Sequence, residues 1–222
     1  MKSDHTLRWI TVTAGLLVAA CSDTPRPAPE DIPTPAEPVR IEALTDAELM
    51  GVSRDQIVMT LPWLNSPMSR DPALNAARAT LRSVEFAAGG TFDRSTFEFG
   101  DDAAYPGYRI AWNDSTAASC ADSTSVKPPA GTLVIRFEPS SAKADGKATI
   151  AQTSQRPGLP SIASARQLCD AKDKLIWGLA ATDSTRFRVV ELRDPPRLVV
   201  DVRHKDAESA SAAAPATAPT PQ

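Results

Sequence analysis

The stretch from Arg186 to Arg203 constrains the fold more than any other part of the chain, because two runs rich in β-branched residues flank a break with two prolines. Proline fixes φ and cannot donate to a strand ladder, so residues 193–196 predict a tight corner between two strands, 187–192 and 197–202. One face of the second run is apolar and the other is mixed: Leu198, Val200 and Val202 against Arg197, Val199, Asp201 and Arg203. This alternation predicts an antiparallel sheet with one buried and one wet face.

The same period of two recurs from about residue 80 onward, between turn signals such as Gly89-Gly90. A low-complexity insertion at residues 117–130 interrupts it. Alternating or apolar runs lie around Val84 and Phe86, Phe97 and Phe99, Tyr108 to Trp112, Leu133 to Phe137, Ala148 and Ile150, Leu175 to Leu179, and in the two runs above. About eight short strands predict an all-β fold, an antiparallel β-sandwich or a small barrel.

The charge balance argues against a nucleic-acid partner. The chain has 24 basic and 27 acidic residues and no block of Lys and Arg, whereas phosphate binding needs a concentrated basic surface.

The tail from residue 205 to 222 is rich in Ala, Pro and Ser. It cannot bury enough apolar surface to offset the entropy of ordering, so we predict that it is disordered.

Residues 1–20 have the pattern of an export signal, with Lys2 and Arg8 before an apolar run that is too short to span a membrane. The run ends in Ala19-Ala20-Cys21, which resembles a bacterial lipobox. In that interpretation, Cys21 becomes the acylated first residue and anchors the exported chain to a membrane. The alternative is an ordinary signal peptide with a chance cysteine.

Two segments separate this signal from the predicted strands. Residues 21–40 are rich in proline and predict an extended linker. We predict that residues 41–79 are partly helical, because Thr45 begins a capping box and residues 72–82 have apolar residues near helical spacing. Trp63 in this segment either packs on the sandwich or is exposed as an anchor for a partner.

Cys120 and Cys169 remain after the predicted cleavage. Outside the cytoplasm an isolated pair is most simply a disulfide. The alternative is two free thiols in a reactive site, and no histidine near them in the sequence supports it.

The chain lacks the usual signs of catalysis. Its two histidines, His5 and His204, lie in the predicted signal and at the edge of the tail, which is a poor basis for a triad or a zinc site. Acidic residues in the predicted hairpins could serve as paired carboxylates, but turns and wet strand faces give the same pattern. Asp170 and Asp173 lack the glycine-containing loop of a calcium site. We therefore expect no enzyme activity, metal or cofactor.

What remains is a binding surface near the third predicted strand. Aromatic faces suit sugar rings and arginine suits carboxylates, so we predict that Tyr105, Tyr108, Arg109 and Trp112 take part in ligand binding, with Arg94 from a neighbouring hairpin. Tyr108 and Trp112 share a face with Ile110, and all three could instead belong to the core. In that case Tyr105 and Arg109 would be the exposed pair.

Several motifs occur in the order that is typical of the AMIN-like domain of secreted and lipid-anchored envelope proteins, over residues 80–204. They are Phe92-Asp93-Arg94, Phe97-Glu98-Phe99, Pro106-Gly107-Tyr108, the strand from Gly131 to Phe137, Gly158-Leu159-Pro160, Trp177-Gly178-Leu179, Phe187-Arg188-Val189 and the closing run from Pro196 to Val202. The chain therefore resembles that family. The resemblance implies a β-sandwich without catalytic residues, and wall binding is expected because AMIN-type domains elsewhere target wall amidases and the pilus secretin to peptidoglycan.

Together these patterns predict a non-catalytic protein of the cell envelope, anchored through Cys21, that binds peptidoglycan or a wall-associated component. In a cell with two membranes it would face the periplasm. The alternative is a protein–protein interaction module of an envelope assembly, with Trp63 as its anchor. Asp93, Arg94, Arg197 and Asp201 could form a charge network across neighbouring strands, either structural or in contact with a ligand. The sequence leaves the oligomeric state open.

Overall fold

The computed structural model describes residues 51–100, 105–114, 119–120 and 128–207. Within them the chain forms two six-stranded sheets and one two-stranded hairpin. The predicted signal peptide, Cys21, the proline-rich linker, the capping box at Thr45 and the tail beyond residue 207 lie outside the described residues.

The first sheet contains the two strands that flank the corner at residues 193–196. Its order is β1 (Ile57–Thr60), β13 (Phe187–Leu192), β14 (Arg197–Arg203), β4 (Phe92–Phe99), β3 (Ala79–Ala88) and β7 (Ser140–Ser141). Neighbouring strands are antiparallel except β3 and β7, which pair in parallel. The predicted corner at residues 193–196 is a turn between β13 and β14, as expected.

The second sheet lies against the first. Its order is β10 (Ser154–Gln155), β11 (Ile162–Ala171), β12 (Lys174–Ala181), β6 (Thr132–Glu138), β5 (Gly107–Trp112) and β2 (Met68–Arg70). All its described pairs are antiparallel. The separate hairpin consists of β8 (Lys143–Ala144) and β9 (Lys147–Ala148).

The core fills the space between the two sheets and receives alternate residues from both. Its centre is aromatic: Phe97 of β4 lies 5.3 Å from Phe137 of β6 and 6.0 Å from Trp177 of β12, between ring centroids. Leu198, Val200 and Val202 of β14 point into the same cluster, as their alternation predicted. The predicted antiparallel β-sandwich is therefore confirmed.

The prediction of a wet outer face for β14 is wrong. Asp201 is fully buried and Val199 is nearly so. Val199 packs with Val190 and Leu192 of β13 in a small second core, on which Val52 and Ile57 of the N-terminal segment lie. The residues before β3 therefore cover part of a face that the alternation alone assigns to solvent.

The predicted helical character of residues 72–82 is also wrong. Leu74 is exposed, whereas Ala79 and Leu81 alternate into the core as the start of β3. In the described part of the 41–79 segment, the chain forms β1, β2 and the three-residue 3-10 helix Arg54–Gln56. The N-terminal segment thus adds one edge strand to each sheet, which local apolar spacing could not predict.

One long strand of the second sheet escaped the sequence prediction. Strand β11 contains two register irregularities, between Ile162 and Ser164 and between Gln167 and Cys169. After each irregularity the following residues lie on the other face of the sheet. The buried residues of β11, Ile162, Ala165 and Cys169, are therefore three and four residues apart. This spacing resembles that of a helix and hides a strand ten residues long.

The structure changes the extent of two predicted segments, a strand and the C-terminal tail. The predicted strand near Ala148 and Ile150 is only the two-residue β9, and Ile150 is buried beside it. Residues 205–207 of the predicted disordered tail are helical. No helix in the described part of the chain is long and apolar enough to cross a membrane.

Candidate functional site

A groove of about 510 Å³ lies where strand β2 meets the start of β5 and the end of β6. We call it the arginine groove, after the three guanidinium groups in its wall. Its lining residues are Ser69, Arg70, Asp71, Pro72, Gly107, Tyr108, Arg109, Arg136, Glu138 and Pro139. Two of the residues that the sequence singled out, Tyr108 and Arg109, therefore lie in the groove.

The groove exists because β2 approaches β5 very closely. In the pairing of the two strands, Arg70 lies opposite Tyr108 and Ser69 opposite Arg109. A Cβ atom at Gly107 would lie 2.5 Å from Pro72 Cδ and 2.8 Å from the backbone oxygen of Glu138. Only glycine leaves room for this contact, which explains the role of Gly107 in the motif Pro106-Gly107-Tyr108.

A buried carboxylate lies beneath the groove. The side chain of Glu191, on β13 of the opposite sheet, is fully buried. The Tyr108 hydroxyl donates a hydrogen bond of 2.6 Å to Glu191 Oε1, and Arg70 Nη1 forms an ion pair with Glu191 Oε2. Because a buried charge is tolerated only when it is paired, these contacts hold Tyr108 and Arg70 in fixed positions.

The tyrosines of the site are kept neutral by their surroundings. Burial raises the pKa of Tyr108 to about 12, and the Arg70 guanidinium opposes part of this shift. Burial likewise raises the pKa of Tyr105 well above its usual range. Both phenols therefore act as hydrogen-bond donors at neutral pH.

Tyr105 and Trp112 do not project into the groove as free aromatic faces. Tyr105, predicted to be exposed, is half-buried against the core, and its hydroxyl donates to the backbone oxygen of Arg197. Its ring lies 5.7 Å from the Arg70 guanidinium. Trp112 is half-buried and donates from Nε1 to the Thr185 oxygen at 2.9 Å. The core interpretation is thus confirmed for Tyr108, Ile110 and Trp112.

The other two guanidinium groups of the groove lie side by side on the outer face of the second sheet. Arg109 of β5 is directly opposite Arg136 of β6. Arg109 is exposed, as predicted, and binds Asp114 at 2.9 Å, while Arg136 pairs with Glu138 two residues along its own strand. The groove therefore presents arginines and carboxylates together.

Arg94 lies elsewhere, on the outer face of the first sheet. The strand register places Arg94 opposite Asp201 and Asp201 opposite Arg188. Arg94 donates to both oxygens of Asp201 at 2.7 and 2.9 Å, and Arg188 donates to Oδ2 at 2.7 Å. Arg94 also lines a second groove of about 420 Å³, together with Phe92, Arg197 and other residues. The five predicted ligand-binding residues are therefore not gathered at one site.

The predicted charge network is smaller than expected. Asp93 lies on the inward face of β4, where it accepts hydrogen bonds from the amides of Ser161 and Ile162 at 2.5 and 3.0 Å. Its other oxygen lies 2.8 Å from His204 Nε2. Asp93 thus joins the first sheet to the start of β11, while Asp201 and Arg94 form a separate ion pair.

Sequence reasoning missed Arg70 and Arg136, and it considered Glu191 only as one of several acids in a predicted hairpin. Arg136 occupies an outward position in a predicted strand, but the long insertion before β6 hid its pairing with Arg109. The alternation of β13 places Glu191 on the inward face. Its burial is understandable only with its partners Tyr108 and Arg70, which lie on the second sheet. Arg70 gave no signal, because its segment was predicted to be partly helical.

The disulfide between Cys120 and Cys169 is confirmed. It fastens the chain before β6 to β11, and both cysteines pack with Val134 and Ile176 on the outer face of the second sheet. Structural disulfides are typical of extracytoplasmic proteins. Within the described ranges, no group of three or more His, Cys, Asp or Glu side chains is arranged to hold a metal ion.

The protein is an antiparallel β-sandwich of two sheets, with a groove of mixed charge where the edge strand β2 joins the second sheet. Residues 79–204 match the AMIN-like domain family. This range is more than half of the 222-residue chain, and the protein therefore belongs to the AMIN-like domain family. Comparisons with curated proteins and with solved structures gave no significant match.

Proposed function

We propose that this protein is a non-catalytic component of the cell envelope, anchored to a membrane through lipid on Cys21, and that its arginine groove binds peptidoglycan. The disulfide and the family, whose members are envelope-associated, support the location. The lipobox pattern before Cys21 supports the anchor.

The observation that carries the binding proposal is the composition of the arginine groove. Three guanidinium groups, two carboxylates and a tyrosine line one depression. Peptidoglycan offers matching groups, because its peptide stems carry carboxylates and amines and its glycan carries hydroxyl and amide groups. Guanidinium groups bind planar carboxylates through paired hydrogen bonds.

The protein-interaction alternative receives no support from its proposed anchor. Trp63 is half-buried, with its ring centroid 6.0 Å from that of Phe92. The guanidinium groups of Arg188 and Arg203 lie 5.1 and 5.4 Å from the Trp63 ring. Its aromatic surface is already used within the chain.

Sedimentation with isolated sacculi tests the proposal. Residues 22–222, purified without the anchor, should pellet with sacculi, and the double variant Arg109→Gln/Arg136→Gln should remain largely in the supernatant. The control is Lys147→Gln, an exposed residue of the separate β8–β9 hairpin, which should pellet like the wild type. Wild-type protein that stays entirely in the supernatant would refute wall binding.

A further inference from the structure

We infer that the arginine groove recognises a free carboxylate of the peptide stem, and that the residue that anchors it is Arg70, which lies outside the family domain. The inference rests on the proposed function and names the ligand group and its anchor. It starts from the unusual position of Arg70, which connects a buried acid to an open groove.

Arg70 is held from two sides and still faces the groove. Its Nη1 is paired with Glu191, its guanidinium lies over the Tyr105 ring, and 43% of its side chain remains exposed. A guanidinium has five N–H donors in a rigid fork. Within the described residues, Nε and Nη2 of Arg70 have no hydrogen-bond partner. One edge of the fork therefore remains available for a planar anion.

The burial of Glu191 explains why Arg70 is fixed. Removing a carboxylate from water is costly unless a cation and hydrogen bonds compensate. Glu191 is fully buried between two sheets whose facing side chains are mostly apolar, and its described partners are Tyr108 and Arg70. This arrangement holds Arg70 in place before a ligand arrives, which lowers the entropic cost of binding.

The charges around Arg70 favour a peptide over a phosphate. Asp71 and Glu138 line the same groove as the three arginines, and Glu191 and Asp114 each pair with one of those arginines. A dianionic phosphate would be repelled by so many acids at close range. A stem peptide carries both signs, so its carboxylate can meet Arg70 while an amine lies near Asp71 or Glu138.

Arg70 reaches the groove only through the segment that precedes the family domain. The domain begins at residue 79, whereas Arg70 is the last residue of β2. Without β2, Glu191 would lose its cation and the groove would lose one wall. Carboxylate recognition is thus a property of the domain together with its N-terminal segment.

Calorimetry with soluble muropeptides, released from sacculi by a muramidase, tests this inference. Residues 22–222 should bind native muropeptides about tenfold or more tightly than the same muropeptides after their carboxylates are amidated, which is the effect of losing a charge-assisted hydrogen-bond pair. The variant Arg70→Gln/Glu191→Gln removes both charges and leaves no buried acid without its cation. It should bind native and amidated muropeptides with equal, weakened affinity.

The control Lys147→Gln should retain the wild-type preference, and Arg70→Lys, which lacks the fork, should retain only part of it. Equal binding of native and amidated muropeptides by the wild type would overturn the inference while leaving wall binding intact. A preference that survives in the double variant would also overturn it. If the wild type bound neither muropeptide and did not pellet with sacculi, the proposed function itself would fail.

Discussion

At the scale of single residues, the described part of the chain places several of its acids inside rather than on the surface. Asp93, Glu191 and Asp201 are all fully buried, and each has its own set of donors. Two of these acids belong to motifs that carried the family resemblance, the Asp93-Arg94 pair and the closing run that ends near Asp201. In this structure those motif residues link strands and sheets, because Asp93 and the Arg94–Asp201 pair are saturated by neighbours within the chain.

Tyr108 provides a prediction at this scale. Replacing it with phenylalanine removes the 2.6 Å hydrogen bond to buried Glu191, so the free energy of unfolding at pH 7 should fall by about 2 kcal/mol. The native state holds the Tyr108 proton up to a pKa of about 12, whereas a free tyrosine loses it near 10. Ionisation therefore favours the unfolded chain as the pH rises above 10, and part of the wild-type stability should be lost there.

Denaturant unfolding of the wild type and Tyr108→Phe at several pH values between 7 and 11.5 checks both statements. The difference in stability between the two proteins should be constant up to about pH 9 and should shrink above pH 10, because the variant lacks the titrating group. A difference that stays constant to pH 11.5 would contradict the raised pKa.

At the scale of elements, the sequence predicted the strands that alternate regularly and failed where another part of the chain decides the pattern. Strands β4, β5, β6, β13 and β14 were predicted from alternation and turn residues. Strand β11 was hidden by its two irregularities, and β2 by its length of three residues. The same difference explains why only part of the candidate site was predicted. Tyr108 and Arg109 lie on a regularly alternating strand, whereas Arg70 lies on β2, a three-residue strand that is defined by its pairing with β5.

The contact between Gly107 and Pro72 gives the prediction at this scale. In Gly107→Ala, the new methyl group would overlap Pro72 and the backbone of Glu138, which no side-chain rotation relieves. Strand β2 should move away from β5, and overpacking of this kind typically costs about 1 to 3 kcal/mol. Hydrogen–deuterium exchange of the backbone amides of residues 68–71 should become faster than in the wild type.

The matched control is Gly90→Ala. A Cβ at Gly90 meets no atom within 4 Å, so exchange in β2 should be the same as in the wild type. Unchanged exchange in β2 of Gly107→Ala would show that the close approach does not hold this strand.

At the scale of the whole molecule, residues 51–78, the described residues that precede the family domain, are part of the folded unit. They supply an edge strand to each sheet, cover the second core through Val52 and Ile57, and carry Arg70. The disulfide ties the outer face of the second sheet to the loop before β6. The fold class and the disulfide were both predictable from local pattern and cysteine count, whereas the role of residues 51–78 depends on contacts between distant parts of the chain.

The disulfide gives a prediction at this scale. Its partners are 49 residues apart, and closing a loop of that length restricts the unfolded chain by up to about 4 kcal/mol. The double variant Cys120→Ala/Cys169→Ala should therefore unfold at lower denaturant concentration than the wild type. A reducing agent should lower the stability of the wild type towards that of the variant and leave the variant unchanged; equal stability of the two oxidised proteins would contradict this role.

Nuclear magnetic resonance can locate muropeptide binding on the protein residue by residue. Native muropeptides added to isotope-labelled residues 22–222 should shift backbone amide signals of β2, the start of β5 and the end of β6. Signals around the second groove, beside Arg94 and Arg197, should stay in place. Shifts confined to that second groove would show that the wall ligand binds elsewhere. The absence of any shift in a large molar excess of muropeptide would show that the arginine groove does not bind it.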